Sequence, residues 1–107
     1  MPLSTAGQNK ITASATGASD YIFLAEKDEG QDWTLFFYGS AWGDVDLQAS
    51  PSPDISNSWG DVQMLIGGAL TTVNRTSNGS VRVPGGCYYR LDVNSLSGGN
   101  PITLVAN

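Results

Sequence analysis

Apolar and polar residues take turns, one for one, along "DVDLQAS" (44–50), "SVRVP" (80–84) and "CYYRLDV" (87–93). Side chains of an extended chain point alternately to its two faces, so a period of two implies half-buried strands. The phase sends Val45, Leu47, Ala49, Val81, Val83, Cys87, Tyr89, Leu91 and Val93 inward. Asp44, Asp46, Gln48, Arg82, Tyr88, Arg90 and Asp92 point outward. "KITASAT" (10–16) alternates too, with Ile11, Ala13 and Ala15 on one face, and "DYIFLAE" (20–26) reads as a short buried strand.

"DVQMLIG" (61–67) and "ALTTVN" (69–74) read as two strands joined at Gly67-Gly68, and "RTSNG" (75–79) ends in Asn-Gly, a strong hairpin signal. "PITLVA" (101–106) closes the chain, while the two prolines of "PSPDISNSWG" (51–60) mark a loop. About eight short strands at turn spacings of roughly 8–12 residues predict an all-β fold. The expected form is a single β-sandwich, jelly-roll or Ig-like, over residues 10–107. Residues 1–9, "MPLSTAGQN", have little apolar content to offset the cost of ordering and read as a flexible N-terminal arm.

At 107 residues the chain fits one domain. Its formal charge is −5, and its cations, Lys10, Lys27, Arg75, Arg82 and Arg90, are scattered. Phosphate backbones and anionic lipid surfaces are held by clustered cations, so neither nucleic acid nor membrane is an expected partner. "MLIGGAL" falls far short of the ~20 residues that span a bilayer. The first twenty residues lack the basic start and apolar core of a signal peptide, which predicts synthesis in a cytoplasm.

There is no histidine. That removes Ser-His-Asp and Cys-His catalysis, His-ligated zinc and the commonest general base near neutral pH. The lone cysteine, Cys87, has no partner for a disulfide, and its inward phase predicts a buried structural thiol. Asp44 and Asp46 share one strand face about 7 Å apart, a pair that reads as solvated. "EKDEGQD" (26–32) gathers Glu26, Asp28, Glu29 and Asp32 around Lys27 without the spacing of a helix–loop–helix calcium site, and reads as a solvated turn. The expectation is a protein with no enzymatic activity, no cofactor and no metal.

"DWTLFFYGSAW" (32–42) holds five of the chain's ten aromatic residues. As a strand it points Trp33, Leu35 and Phe37 one way and Phe36 and Tyr38 the other. One sandwich core uses one face of each sheet, so the second face must meet the far edge of the opposite sheet, the 51–60 loop or another molecule. An exposed aromatic patch marks an interface, which makes Phe36 and Tyr38 candidate partner contacts.

A tetrapeptide, Trp-Gly-Asp-Val, occurs in both "SAWGDVDL" (40–47) and "NSWGDVQM" (57–64). Either it is a recurrent turn whose indole caps the sandwich, or Trp42 and Trp59 are exposed platforms for a ligand or partner. For Trp59 the capping role is expected. Ile55, at the tip of the 51–60 loop, is a further candidate contact.

Four segments carry a resemblance: "SNSWGDV" (56–62), "ALTTVNRTSNGSVRVPGG" (69–86), "CYYRLDV" (87–93) and "NPITLVAN" (100–107). Over residues 40–107 this arrangement resembles the small β-sandwich head decoration, or cement, proteins of tailed bacteriophages. The resemblance implies a structural virion protein on the capsid exterior. It would bind the major capsid protein at three-fold junctions, often as a homotrimer, and bridge neighbouring subunits against the pressure of packaged DNA. A carbohydrate-binding β-sandwich module, with Trp42 and Trp59 stacked on sugar rings, and another phage tail or adsorption-apparatus protein are the alternatives.

Overall fold

The alternating segments are strands, and their inward positions form the core. The computed structural model describes residues 4–7, 9–39, 42–55, 57–97 and 101–107. The strands are β1 (Ser4–Gly7), β2 (Lys10–Ala13), β3 (Gly17–Leu24), β4 (Trp33–Gly39), β5 (Asp44–Ser50) and β6 (Gly60–Asp61). They continue with β7 (Gln63–Ile66), β8 (Ala69–Thr72), β9 (Asn74–Arg75), β10 (Gly79–Val83), β11 (Cys87–Ser95) and β12 (Ile102–Ala106). A first sheet runs β1-β2-β12-β4-β10, and a second runs β3-β11-β5-β6 with β9 also on β5. Among the described residues β7 and β8 pair only with each other. Among the described residues no helix is long and apolar enough to cross a membrane.

The two sheets form an all-β sandwich around one cluster. The first contributes Ile11, Ala13, Leu35, Phe37, Val83, Ile102, Leu104 and Ala106; the second contributes Ile22, Leu24, Val45, Leu47, Tyr89, Leu91 and Val93. Each large side chain sealed from water in this way contributes ~1.5–3 kcal/mol. Tyr89 also donates its hydroxyl to the Pro84 carbonyl at 2.6 Å, which ties the β10–β11 turn to the core. Such a link back to backbone a few residues upstream is the arrangement of a tyrosine corner.

Among the described residues the count of about eight strands becomes twelve, because β6, β9 and the hairpin strands are short separate pieces. Part of the segment read as an arm is a strand: Ser4–Gly7 pairs antiparallel with β2. Backbone groups on the free edge of β2 recruit it, and that pairing needs no apolar side chains.

"DYIFLAE" is half-exposed rather than buried. Ile22 and Leu24 are in the core, whereas Tyr21 and Phe23 face out. A β-bulge sets this phase, since Ser19 and Asp20 together oppose Leu91, and the buried Ser19 Oγ accepts the Leu91 N–H at 2.9 Å. Asn78-Gly79 is not a hairpin turn either: β9 pairs with β5 and β10 with β4, so the chain crosses between sheets there. The Asn78 side chain instead accepts hydrogen bonds from Gly39 N at 2.9 Å and Trp42 Nε1 at 2.5 Å.

Residues 60–75 build a branch off β5. β6 pairs with one end of it through Gln48 and Ala49, and β9 with the other through Val45 and Asp46. Between them, Val62 N donates to Leu47 O, Leu47 N to Val73 O and Val73 N to Val62 O, at 2.8–3.0 Å. The β7–β8 hairpin leaves the sheet from this root. Gly67 and Gly68 both have positive φ (60° and 84°), the geometry of a tight two-residue turn that glycine adopts without strain.

Candidate interaction surfaces

Three surfaces remain outside the core. The outer face of the first sheet carries Lys10 and Thr12 on β2, Thr103 and Val105 on β12, Thr34, Phe36 and Tyr38 on β4, and Ser80 and Arg82 on β10. Register aligns them: Lys10 opposes Val105, Val105 opposes Phe36, and Phe36 opposes Ser80. Phe36 and Tyr38 are 44% and 45% exposed, so nothing among the described residues covers the second face of the aromatic strand. A groove of about 400 Å³ beside Tyr38 is lined by Gly39, Asn78, Pro101 and Thr103. The inner side of the same strand is anchored at its start, where Trp33 Nε1 donates to Ala25 O at 2.8 Å under the Lys27 ammonium.

The outer face of the second sheet is ordered in rows. Phe23 opposes Tyr88; Tyr21 opposes Arg90, which opposes Gln48, which opposes Asp61; Asp92 opposes Asp46, which opposes Asn74. The rings touch one another, with centroids 4.9 Å apart for Phe23–Tyr88 and 5.6 Å for Tyr21–Tyr88. Arg90 is fixed by a relay in which its Nε donates to Gln48 Oε1 at 2.8 Å and Gln48 Nε2 donates to Asp61 Oδ1 at 3.2 Å. Partial burial holds its pKa below the usual guanidinium value, against the opposing pull of Asp92.

Trp59 lies on this face, not on the core. Its ring sits 4.3 Å from the Arg90 guanidinium carbon and 6.0 Å from Tyr21. The capping role expected for it is therefore corrected: the 51–60 loop folds back over the outer face and carries the indole there. Serines brace the loop. The Ser50 and Ser58 hydroxyls are 2.7 Å apart, and both reach the Ser52 carbonyl at 2.8 Å. Ile55 stands exposed within the loop.

At the far end of the same face, Asp44 and Asp46 are bridged by amides. Asn74 Nδ2 donates to Asp44 and, at 2.7 Å, to Asp46; Asn94 Nδ2 donates to both at 3.1–3.2 Å. Among the described residues no group of three or more carboxylates, histidines or cysteines is placed to hold a metal ion.

The third surface is the hairpin. Leu65, Ile66 and Leu70 are 71%, 60% and 69% exposed, and its ten residues, Gln63–Thr72, carry no charge. A groove of about 350 Å³ lies under its other side, between Met64 and Ile66 and the β9–β10 residues Arg75 and Val81.

The five residues singled out from the sequence thus fall on separate surfaces. Phe36 and Tyr38 share the first sheet's outer face, Trp59 is on the second's, and Ile55 is in the loop. Trp42 is half-buried against the core. It precedes β5 by two residues, whereas Trp59 adjoins Gly60, which pairs near the other end of that strand. About 20 Å of strand separates the two indoles, too far for one small ligand to stack on both. Cys87 keeps its inward phase beside Tyr89 but, at the start of β11, it is half-buried rather than sealed.

Sequence reasoning missed Tyr21, Phe23 and the hairpin tip. The outward phase of Tyr88 and Arg90 had been legible, and cross-strand pairing to them was the signal that could have found Tyr21. No family model, curated protein or solved structure matches this chain.

Proposed function

We propose that this protein is a structural component of a virus particle, a decoration protein that binds the outer shell of a tailed-phage capsid and bridges neighbouring subunits of the major capsid protein. The projecting hairpin carries this reading. Three large aliphatic side chains stand in water on a two-stranded ribbon, and such a ribbon is marginal without something to pack against. A protein partner that covers Leu65, Ile66 and Leu70 supplies the missing packing, and the absence of charge from Gln63 to Thr72 suits the dry centre of an interface. The resemblance of residues 40–107 to cement proteins supplies the identity of the partner.

The test is binding of the purified chain to capsids that lack it. Leu65→Ser with Leu70→Ser should melt like the parent and lose at least tenfold in shell affinity. Parental binding by that variant, or absence of the chain from purified particles by mass spectrometry, would sink the proposal.

A second reading has its own observation. The second sheet's outer face sets exposed rings beside amide and carboxylate groups, a mixture that suits a neutral polysaccharide. Retention on a glycan array that is lost with Tyr21→Ala would support it.

A further inference from the structure

We propose that copies of this protein stack front to back, the outer face of the first sheet of one molecule docking on the outer face of the second sheet of the next. This goes beyond shell attachment, because it uses the two sheet faces and leaves the hairpin free.

The two faces are opposite in charge. On the first, the strands present Lys10 and Arg82 and no carboxylate among the described residues. On the second, Asp44, Asp46, Asp61 and Asp92 stand against the single cation Arg90. The remaining charges lie in loops, at strand ends, at the hairpin root and at the β3 bulge. Apposing two first faces sets cation on cation, and apposing two second faces sets carboxylate on carboxylate. Only the unlike pairing attracts.

Both faces also have an apolar centre to bury. Phe36, Tyr38 and Val105 occupy the first, and Tyr21, Phe23 and Tyr88 the second, with Tyr21 and Phe23 46% and 50% exposed. A charged rim around an aromatic centre is the usual anatomy of a specific contact.

Size sets the strength. Five strands at ~4.8 Å, of four to seven residues at ~3.3 Å, give a face of at most about 24 by 23 Å. That is on the order of 500 Å², below the ~800 Å² per partner of stable complexes, so the contact is weak. Geometry sets the form. A contact between two different patches closes into a ring only when the patches are suitably inclined. Here they are the opposite sides of one sandwich, so each added copy leaves an open face at either end.

Sedimentation of the full chain reads this out. At low salt (~0.02 M) the mean mass should rise steadily with concentration without stopping at a fixed size, and should fall to that of a monomer at ~0.5 M, where the screening length is only a few ångströms. Lys10→Glu with Arg82→Glu, and separately Asp61→Lys with Asp92→Lys, should each be monomeric at low salt while melting like the parent. Mixing the two variants should restore growth, since the reversed faces again attract. A parent that is monomeric at every concentration in low salt overturns the proposal. So does a closed dimer or trimer, association that salt or charge reversal leaves unchanged, or a mixture that stays monomeric. Should a variant fail to fold, the salt and concentration dependence of the parent alone decides.

Discussion

The tetrapeptide Trp-Gly-Asp-Val occurs twice, and its two copies have different fates at every position. Trp42 packs against the core and donates to Asn78, while Trp59 lies on an outer face over Arg90. Gly43 is pressed against the backbone of Ser95 and Leu96, while Gly60 has open space where a side chain would go. Asp44 is bridged by two asparagines, while Asp61 meets one glutamine. Val45 is sealed, while Val62 is half-buried at the root of the hairpin. Both copies begin next to β5, one feeding into it and the other pairing along its edge. A short motif therefore specifies a local shape, a turn that opens a strand. What the turn packs against comes from the strand beside it.

The largest expected difference is at the glycines. A Cβ at Gly43 would collide with the Ser95 carbonyl, and backbone cannot rotate away as a side chain can. Gly43→Ala should cost ~3 kcal/mol or more, at the upper end for overpacking. Gly60→Ala meets nothing within 4 Å and should be neutral or stabilise by ~0.5 kcal/mol, because the unfolded chain loses freedom. Urea melts of both variants measure this directly, and equal midpoints would erase the comparison.

Next come the indoles. Trp42→Ala leaves a gap at the core margin and removes one of the two donors to Asn78 Oδ1, so ~2–3 kcal/mol is expected, below the full cost of a sealed tryptophan. Trp59→Ala removes the stack of a half-buried indole on Arg90, worth ~1 kcal/mol, between the values for exposed and desolvated pairs. If Trp59→Ala melts as low as Trp42→Ala, the outer-face placement of Trp59 is wrong.

Much of this was legible in the sequence, and the failures have physical causes. Period-two alternation marked β5, β10 and β11 and their inward sides, because a polar residue every second position leaves only one phase. On β3 the same logic had nothing to grip, since Tyr21, Ile22, Phe23 and Leu24 are all apolar and a bulge resets the phase. The Gly-Gly turn of the hairpin could be read, but its exposure could not. "QMLI" and "ALTT" look like any half-buried ribbon until the root at Leu47 shows the ribbon leaving the sheet. Asn78-Gly79 misled because a strong local turn signal was overruled by tertiary hydrogen bonds to Gly39 and Trp42. Of the candidate contacts, Phe36 and Tyr38 could be placed from strand phase alone, whereas Trp59 depended on how a ten-residue loop folds back.

Beside β5, on the side away from β6, runs β11, and Tyr89 on its inner side separates inside from outside by pH. Burial, and after it the neighbouring Cys87, push the Tyr89 hydroxyl well above the ordinary phenol value of 10.0. Its contribution to stability is complete below that value. Above it the unfolded chain releases the proton while the folded chain keeps it, so stability falls with rising pH, by up to ~1.4 kcal/mol per unit. Tyr89→Phe should lower stability at pH 8 through loss of the Pro84 bond yet flatten the decline between pH 10 and 11. The outer Trp59→Ala should leave that slope unchanged. An identical decline in parent and Tyr89→Phe would place the responsible group elsewhere.

The smallest difference expected is at the aspartates, and it tests whether the ordered outer face contributes stability at all. Asp44 accepts from Asn74 and Asn94, but both amides also reach Asp46, so removing one carboxylate leaves each donor a partner. Half-exposed bonds of this kind contribute ~0.5–1 kcal/mol net. Asp44→Ala should therefore cost no more than that. Asp61→Ala removes a 3.2 Å bond at an exposed edge, and water takes its place beside Gln48, so a change within ~0.3 kcal/mol is expected. The informative variant is the pair Asp44→Ala with Asp46→Ala, which deprives both asparagines at once. Its cost should exceed the sum of the singles by ~0.5–1 kcal/mol, because only then are the amides without acceptors. Strict additivity would mean that water serves these amides as well as the carboxylates do, and that this end of the face is shaped for something other than its own stability.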